Sequence, residues 1–429
     1  MASERRIDNA AGRVVGVTAG ILFFAWLIDY IDRLVITLAL PSIGKEFALN
    51  KAAQGAIITI FFVTYTIFQV PGGLLADRFG AKKTMTLALT LWSVFTGLTG
   101  TAVSYVWLLV VRLFFGACEG IFPGASTKAI AERTTPEARM TANGAVLASN
   151  PLGAAIAPLI AAPAIALAGW RFSFFYVAGL GLVMAVVLWF ALPKAIQRSQ
   201  PTSTNPVGRS SLSDSMNLLR SGTMWKFTLM FFGFDVVSWG LISWVPSYLI
   251  TVRHLSLVNS GALASIPYFF ATLATVLGGL MFDRFFNQRQ RWLIVPCMLV
   301  TAVFLYFMLS AATVRGFIVF ESLGMFFMFL TFMPILGLPV RVLPTSVVGS
   351  GSALVNFGGQ AGGAIAPLVM GLLADRFGFP AAFAFLVFGA LLAAGAALWS
   401  PQRPDDFARA LARHLPEAPR VSTQPATAA

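Results

Sequence analysis

Charged and chemically reactive side chains are scarce in this sequence of 429 residues. Asp, Glu, Lys and Arg together make up 11% of it, whereas a soluble globular domain contains about 25%. There are two histidines, His254 and His414, and two cysteines, Cys118 and Cys297, which lie far apart in apolar runs. This spacing offers neither a disulfide framework nor a metal site. The shortages argue against a soluble enzyme, and we expect no cofactor and no bound metal.

Long apolar runs dominate instead, since 57% of the residues are hydrophobic. Most of the runs reach the ~20 residues that a helix needs to cross a bilayer. The predicted spans are 14–40, 53–77, 84–103, 106–127, 140–168, 172–192, 227–250, 258–282, 292–313, 316–340, 347–374 and 379–400. The first run carries Asp29, Asp32 and Arg33 and lacks a small-residue cleavage site, so it is not a cleaved signal peptide. The pattern predicts an all-α integral membrane protein with twelve transmembrane helices.

The basic residues are distributed unequally between the two sides of the membrane. If the N-terminus is cytoplasmic, 22 of the 30 Lys and Arg residues fall in predicted inner segments and 6 in outer loops. This bias follows the positive-inside rule and predicts that both termini are cytoplasmic. The net charge of +13 is therefore a signal of topology. It requires no nucleic-acid partner.

The chain divides into two halves joined by a polar segment rich in Ser, Thr, Pro and Asn. The predicted regions are a cytoplasmic N-terminus at 1–13, a six-helix half at 14–192, a linker at 193–226, a second six-helix half at 227–400 and a cytoplasmic tail at 401–429. Two repeats relate the halves. Gly-Gly-Leu-x-x-Asp-Arg-Phe occurs at 72–79 and at 278–285, and 150–159 shares six identities with 359–368. Such a duplication is typical of secondary transporters, whose substrate site lies near the midplane between the halves.

The first of these repeats also carries a family resemblance. Residues 72–83 read Gly-Gly-Leu-Leu-Ala-Asp-Arg-Phe-Gly-Ala-Lys-Lys, which resembles the signature loop of the major facilitator superfamily. Four further segments resemble its anion:cation symporters, which include galactonate, glucarate, hexuronate and phthalate carriers and sialin. These segments are 30–33, 112–124, 244–248 and 356–360. The resemblance extends over both predicted halves and implies the two-fold pseudo-symmetric fold of that superfamily.

The signature loop is expected to act as a conformational latch. Asp77 lies at a predicted helix end, where its carboxylate can accept hydrogen bonds from the N-terminus of a neighbouring helix. The residues assigned to the latch are Gly73, Asp77, Arg78, Asp283 and Arg284. The alternative is a turn whose basic residues only set topology.

Five charged residues cluster in the first and fourth predicted spans, where each costs ~2.5–3.5 kcal/mol on insertion scales. In the second half, Asp235 and Glu321 stand alone within their spans. Asp29, Asp32 and Arg33 share one face of the first span, and Arg112 and Glu119 share one face of the fourth. Within the cluster the acids exceed the bases by one, so one carboxyl group can carry a proton. The alternative is an ion-pair network that only orients the helices.

The resemblance implies a role for each of these residues. Asp32 and Glu119 match positions that bind and release protons, and Arg112 matches an arginine that couples to Glu119. Arg33 matches the cation that meets the anionic substrate, for which the planar guanidinium fork is suited. The remaining candidates for substrate binding are Tyr30, Tyr65, Asn150, Asn356 and Gln360. Asp29 stands where these symporters commonly have Asn, and Asn150 where galactonate-type carriers have Gln.

We therefore expect a proton-coupled symporter that imports an organic anion, such as a sugar acid, by alternating access. It would be a monomer in the inner membrane, with protons, a small carboxylate and the bilayer as its partners. Aromatic carboxylates are an alternative cargo. A drug:proton antiporter is a further alternative, although the segment after Asn150 matches the antiporter pattern Gly-Pro-x-x-Gly-Gly only in part. A sensor on a transporter scaffold is the last alternative, but the linker is too short for a signalling domain and the intramembrane acids argue against it.

Overall fold

The computed structural model describes residues 2–134, 136–195, 220–286, 289–336, 343, 348–401 and 403–412. These residues are helical almost throughout and contain no β-strand. The helices are α1 Ala2–Glu46, α2 Lys51–Phe79, α3 Ala81–Gly100, α4 Tyr105–Gly120, α5 Phe122–Arg133, α6 Pro136–Leu147, α7 Ser149–Ala191, α8 Gly222–Thr251, α9 Leu257–Met281, α10 Arg291–Ser310, α11 Val314–Phe329, α12 Val348–Phe377, α13 Phe379–Leu398 and α14 Pro404–Ala412. A π-helical turn, Phe282–Phe286, continues α9.

The described residues form twelve membrane crossings. Ten continuous helical runs are long and apolar enough to cross a membrane, and the longest, Ala142–Ala191, has 50 residues. It is broken at Gly169, whose φ of 82° lies where side chains are strained, so this run makes two crossings. The helix α3 adds the twelfth crossing. Its many Thr and Ser residues lower its hydropathy, but hydroxyls such as that of Ser93 bond to the carbonyl four residues earlier, Leu89.

Several helices run further than the predicted spans, while others, such as α3 and α10, end a few residues before the predicted span does. For example, the span at 227–250 lies inside α8, which begins at Gly222, and the span at 14–40 lies inside α1. A hydropathy pattern marks only the part of a helix that lies in lipid, whereas polar ends continue the helix into the headgroup region. Most of the predicted linker, residues 196–219, and the end of the predicted tail, residues 413–429, lie outside the described residues.

Two helix pairs make the main contacts between the predicted halves, since α2 packs against α12 and α7 against α9; α1 also packs against α8. The first pair is so close that a Cβ atom at Gly55 would overlap the backbone of Pro367. Small residues allow this approach of two helices within a bilayer. The two pairs therefore form the seam between the halves, and the central cavity lies along it.

Candidate functional site

The central cavity has a volume of about 660 Å³ and is lined by residues of both halves. The N-terminal half contributes α1, α2, α5, α6 and α7, and the C-terminal half contributes α8, α9, α11 and α12. Such a volume is within the ~300–1,000 Å³ typical of small-molecule sites. Its wall contains every residue predicted to bind substrate: Arg33, Tyr30, Tyr65, Asn150, Asn356 and Gln360. The fold thus brings together residues that are up to 330 positions apart in the sequence.

Arg33 is the cation of this cavity, and acids and aromatic rings surround it. Its Nε atom donates to Oε1 of Glu119 at 2.8 Å, its Nη2 atom donates to the same oxygen, and Nη2 also lies 3.1 Å from Oδ2 of Asp29. The guanidinium carbon lies 4.7 Å from the ring centroid of Tyr65 and 5.1 Å from that of Tyr30. The rings are close enough for cation–π attraction. Arg33 is therefore held in place before any substrate arrives.

Asp29 and Glu119 share this one guanidinium. Each keeps one buried oxygen without a hydrogen-bond partner among the described residues. The two carboxyl groups are also close enough to hydrogen-bond to each other when one carries a proton. Two carboxylates cannot both ionise at short range in a dry site at low cost. Asp29, whose role the sequence left open, thus belongs to the cluster that holds Arg33.

Asp32 and Arg112 lie behind this cluster and do not line the central cavity. The hydroxyl of Thr96 donates to Oδ2 of Asp32 at 2.5 Å. Arg112 is 2% exposed, and its Nε and Nη2 atoms have no hydrogen-bond partner among the described residues. Its guanidinium packs against the ring of Phe115, 4.8 Å from the centroid. In this conformation, therefore, Glu119 pairs with Arg33 and not with the predicted partner Arg112.

The amides line the cavity wall from α7 and α12. The Nδ2 atom of Asn356 donates to Oε1 of Gln69 at 3.2 Å and so bridges α12 and α2. The Oε1 atom of Gln360 is buried and has no partner among the described residues. Asn150 lies on α7 at the cavity wall. These groups are positioned to bond hydroxyl or carboxylate oxygens of a bound molecule.

Sequence reasoning assigned no role to Asp235, although the structure places it in the central cavity wall. Asp235 is on α8, and its carboxyl group interacts electrostatically with Arg33 across the cavity. The ring of Trp239, one turn later, lies 4.6 Å from that of Phe62 and 6.3 Å from that of Tyr30. The only sequence signal for Asp235 was its isolated charge within a span.

The cavity opens at one end of the molecule, which we call the open end: it is where α2 ends and the wall reaches Asp283 and Ser352. The residues predicted to form a latch lie here. The Asp77 side chain is 71% exposed and pairs with Lys128 of the same half, at 2.8 Å. Asp283 lines the mouth of the cavity, whereas Gly73, Arg78 and Arg284 do not line it. Asp77 thus makes no latch contact with the other half among the described residues.

The opposite, closed end is where α2 begins and α12 ends. Here the carboxylate of Asp375 accepts hydrogen bonds from the backbone N–H groups of Lys51, at 2.9 Å, and Ala52, at 2.8 Å. The hydroxyl of Thr59 donates to the carbonyl of Ala364 at 2.6 Å. These bonds join α2 of one half to α12 of the other. A carboxylate on a helix N-terminus is the geometry that we predicted for Asp77.

The sequence contains a signal for this contact that the repeat search missed. Residues 371–378 read Gly-Leu-Leu-Ala-Asp-Arg-Phe-Gly, which is identical to residues 73–80. We call the two segments the α2 octapeptide and the α12 octapeptide. The repeats considered above relate helices at the same membrane face, whereas these two lie at opposite ends of the molecule.

Similarity to known proteins decides the family. The model of the Major Facilitator Superfamily matches residues 22–367. The chain belongs to the major facilitator superfamily. It is similar to the hexuronate transporter of Bacillus subtilis (strain 168), with 29% identity over 88% of this chain and 91% of that protein. It is also similar to the probable L-galactonate transporter of Escherichia coli (strain K12), with 25% identity over 88% of this chain and 86% of that protein.

A solved structure shows the same fold. A bacterial homologue of the human lysosomal transporter Spinster, in an inward-facing and unoccupied conformation, aligns with a TM-score of 0.76 at 18% identity. The alignment covers 92% of this chain and 98% of that one. Membership of the superfamily confirms the predicted all-α membrane fold. This member of the superfamily is a multi-pass membrane transporter and not an enzyme.

Proposed function

We propose that this transporter imports an organic monoanion together with protons, and that sugar acids are the first candidates for its cargo. One observation carries the proposal: Arg33, the cation in the cavity wall, is already occupied by Glu119 and Asp29. An anion can take over the guanidinium fork only if these acids lose charge. Binding of a proton to the pair therefore favours binding of the anion, which couples the two. The hexuronate and galactonate transporters among the relatives support a sugar acid.

The transport cycle alternates between a state open at one end and a state open at the other. By the positive-inside rule, both termini and the open end face the cytoplasm of a bacterial inner membrane. The described conformation is then the one that releases cargo inward. Asp375 holds the outer end shut in this state, and Asp77 is available to hold the inner end in the opposite state. Arg112, packed near Asp32, completes the coupling cluster, and the transporter acts as a monomer.

Aromatic carboxylates are the second candidate cargo, and the aromatic part of the cavity wall favours them. Phe231, Phe234, Phe329 and Phe332 line the cavity along with Trp239. Such rings stack on an aromatic acid but contribute few hydrogen bonds to a polyhydroxy acid. The amides Asn150, Asn356 and Gln360 favour the polyhydroxy acid instead. A transport assay with both classes decides between them.

The test measures proton uptake into proteoliposomes that contain a pH-sensitive dye. Galactonate, glucarate and hexuronates are compared with benzoate- and phthalate-type acids, with protein-free vesicles as the blank. We expect acidification with one class and a loss of at least about tenfold in Arg33→Lys, because lysine keeps the charge but lacks the planar fork. Acidification that Arg33→Lys leaves unchanged would contradict the proposal. Proton release on adding cationic drugs would indicate an exporter.

The Glu119→Gln variant tests proton coupling separately from substrate binding. Glutamine does not ionise, so Arg33 keeps only Asp29 as an anionic partner and stays available to the substrate. We expect proton-driven uptake to fall at least about tenfold, while exchange of labelled for unlabelled substrate across the membrane continues. Loss of both activities, with the protein still monodisperse in detergent, would assign Glu119 a structural role and contradict the coupling scheme.

A further inference from the structure

Glu321 of α11 is a buried acid that the cluster around Arg33 does not include. Its side chain is 1% exposed, and neither of its carboxyl oxygens has a hydrogen-bond partner among the described residues. An unpaired carboxylate inside a bilayer is costly, by ~2.5–3.5 kcal/mol on insertion scales. The neutral, protonated acid avoids most of that cost. In this conformation Glu321 therefore carries a proton.

The helices around Glu321 provide no counter-charge in the described part of the chain. Their titratable groups, most of them engaged elsewhere, include Asp29, Asp32 and Arg33 of α1, Arg171 of α7, Asp235 of α8, Arg253 after α8, Tyr268 of α9, and Arg291 and Cys297 of α10. Of these, Tyr268 interacts electrostatically with Glu321. Its hydroxyl also lacks a hydrogen-bond partner among the described residues. Glu321 is thus isolated from every base that is resolved around it.

Glu321 borders a separate small cavity of about 10 Å³, which has space for about one water molecule. The walls of this cavity come from both halves. Leu34 and Thr37 of α1 and Pro158 of α7 face Ile242 of α8, with Tyr268 and Glu321 beside them. Tyr268 also lines the central cavity, so the two spaces share it as a wall residue.

The small cavity lies toward the closed end. Glu321 is seven residues from the start of α11 at Val314, which corresponds to about two helical turns, or ~10 Å. Because the cavity lies between the halves, it becomes part of the opening when the halves separate at this end. Water then reaches Glu321, and its carboxylate form is stabilised by hydration. When the halves close again, that water is removed and the ionised form has no partner.

We propose that Glu321 is a second proton-binding site of this transporter, loaded from the solution at the closed end, and that this end closes only when Glu321 is protonated. The proposal rests on the alternating access inferred above but not on the identity of the cargo. It places one proton site in each half: the Arg33 cluster in the first and Glu321 in the second. Tyr268 lines both cavities and interacts electrostatically with Glu321, so the proposal puts it on the route by which the proton leaves.

The test measures the conformation directly, without substrate. Spin labels are attached in a Cys118→Ala, Cys297→Ala background, at Lys45→Cys and Arg315→Cys across the closed end. These two side chains are exposed on opposite halves. We expect the label distance measured by double electron–electron resonance to lengthen as the pH rises from 5 to 9, because ionisation of Glu321 opens this end. In Glu321→Gln, which stays neutral, the distance should remain short across the range.

Ser322→Ala is the matched control, because Ser322 is the next residue on α11 and its hydroxyl bonds only within the helix, to the carbonyl of Ile318. This variant should keep the wild-type pH response. If Glu321→Gln also keeps it, or if the wild type shows no response, the proposal is overturned. Glu321→Met tests for a merely structural role: since the carboxyl group is unpaired, thermal stability should be unchanged or higher. A clear loss of thermal stability in both Glu321 variants would also overturn it.

The two proposals fail separately. A transport assay without a signal from any acid leaves the label distances measurable, and a pH-independent distance leaves anion uptake measurable.

Discussion

The α2 octapeptide and the α12 octapeptide have the same eight residues but lie at opposite ends of the molecule. Their local structures agree. Each ends its helix at a glycine of positive φ, 86° at Gly80 and 81° at Gly378, and the next helix starts at once. In each, the glycine N–H closes the last turn by donating to the alanine four residues earlier, Ala76 or Ala374. The eight residues by themselves therefore determine this helix end.

The contacts of the two aspartates differ. Asp77 is exposed and pairs with Lys128 of its own half, while Asp375 accepts two backbone N–H groups of α2 in the other half. The carboxylates are chemically identical, so the difference lies in what the fold places opposite them. At the closed end a helix N-terminus is within reach, whereas at the open end Asp77 contacts no helix N-terminus among the described residues. The same octapeptide therefore forms an engaged latch at the closed end, through Asp375, and a released latch at the open end, through Asp77.

The largest expected effect, on thermal stability, comes from the glycine that ends each octapeptide, Gly80 or Gly378. A side chain at a backbone conformation reserved for glycine costs about 1–3 kcal/mol. A Cβ atom at Gly80 would meet nothing within 4 Å, and one at Gly378 would meet only Cδ of Pro380 at an ordinary 3.6 Å. Backbone strain is therefore the only cost, and Gly80→Ala and Gly378→Ala should lower the melting temperature in detergent by similar amounts. Clearly unequal losses would show that the two helix ends are not equivalent.

Substitution of the two aspartates, Asp375 and Asp77, should have unequal effects, unlike substitution of the two glycines. Asp375→Asn removes a charge from the N-terminus of α2, and capping contacts of this kind are worth about 0.5–2 kcal/mol. We expect the population open at the closed end to increase several-fold, measured between the labels at Lys45→Cys and Arg315→Cys. Asp77→Asn is the matched control and should leave this distance distribution unchanged in the described conformation. Equal effects of the two substitutions would contradict the distinction between an engaged and a released latch.

The smallest effect is expected for the pair that Asp77 forms now. An exposed ion pair contributes about 0–1 kcal/mol and is screened by salt. Lys128→Gln should therefore change thermal stability little, and less still at high ionic strength. A second label pair, at Lys83→Cys and Phe285→Cys across the open end, should show no shift. A marked closure or opening there would mean that Lys128 holds Asp77 in its released position.

Much of the candidate site could be predicted because charge within an apolar span is a strong signal. Asp32, Arg33 and Glu119 stood out for that reason, and the structure brings Arg33 and Glu119 into contact. The choice of partner could not be predicted. Spacing places Arg112 and Glu119 on one face of α4, but a contact between α1 and α4 depends on how the two helices pack. The structure gives Glu119 to Arg33 and leaves Arg112 among aromatic rings.

The location of the isolated acids, in contrast, could not be predicted. Asp235 and Glu321 each gave only a lone charge in an apolar run, with no partner at helical spacing. Whether such a group faces lipid, a cavity or the seam between halves depends on helix rotation and on contacts hundreds of residues apart. The structure places Asp235 in the central cavity and Glu321 in the small cavity between the halves. The sequence offered no basis for telling these two positions apart.

The sequence by itself determined the membrane class, the twelve crossings and the helix ends at the two octapeptides, because these depend on hydropathy and on backbone preferences that act over a few residues. It also determined which charged residues enter the membrane. The tertiary structure alone decided which acid holds Arg33, which aspartate caps a helix, and which end of the transporter is closed. These outcomes depend on the packing of α2 against α12 and of α7 against α9, which join residues far apart in the chain. An identical octapeptide at both ends makes the point directly, since only its surroundings differ.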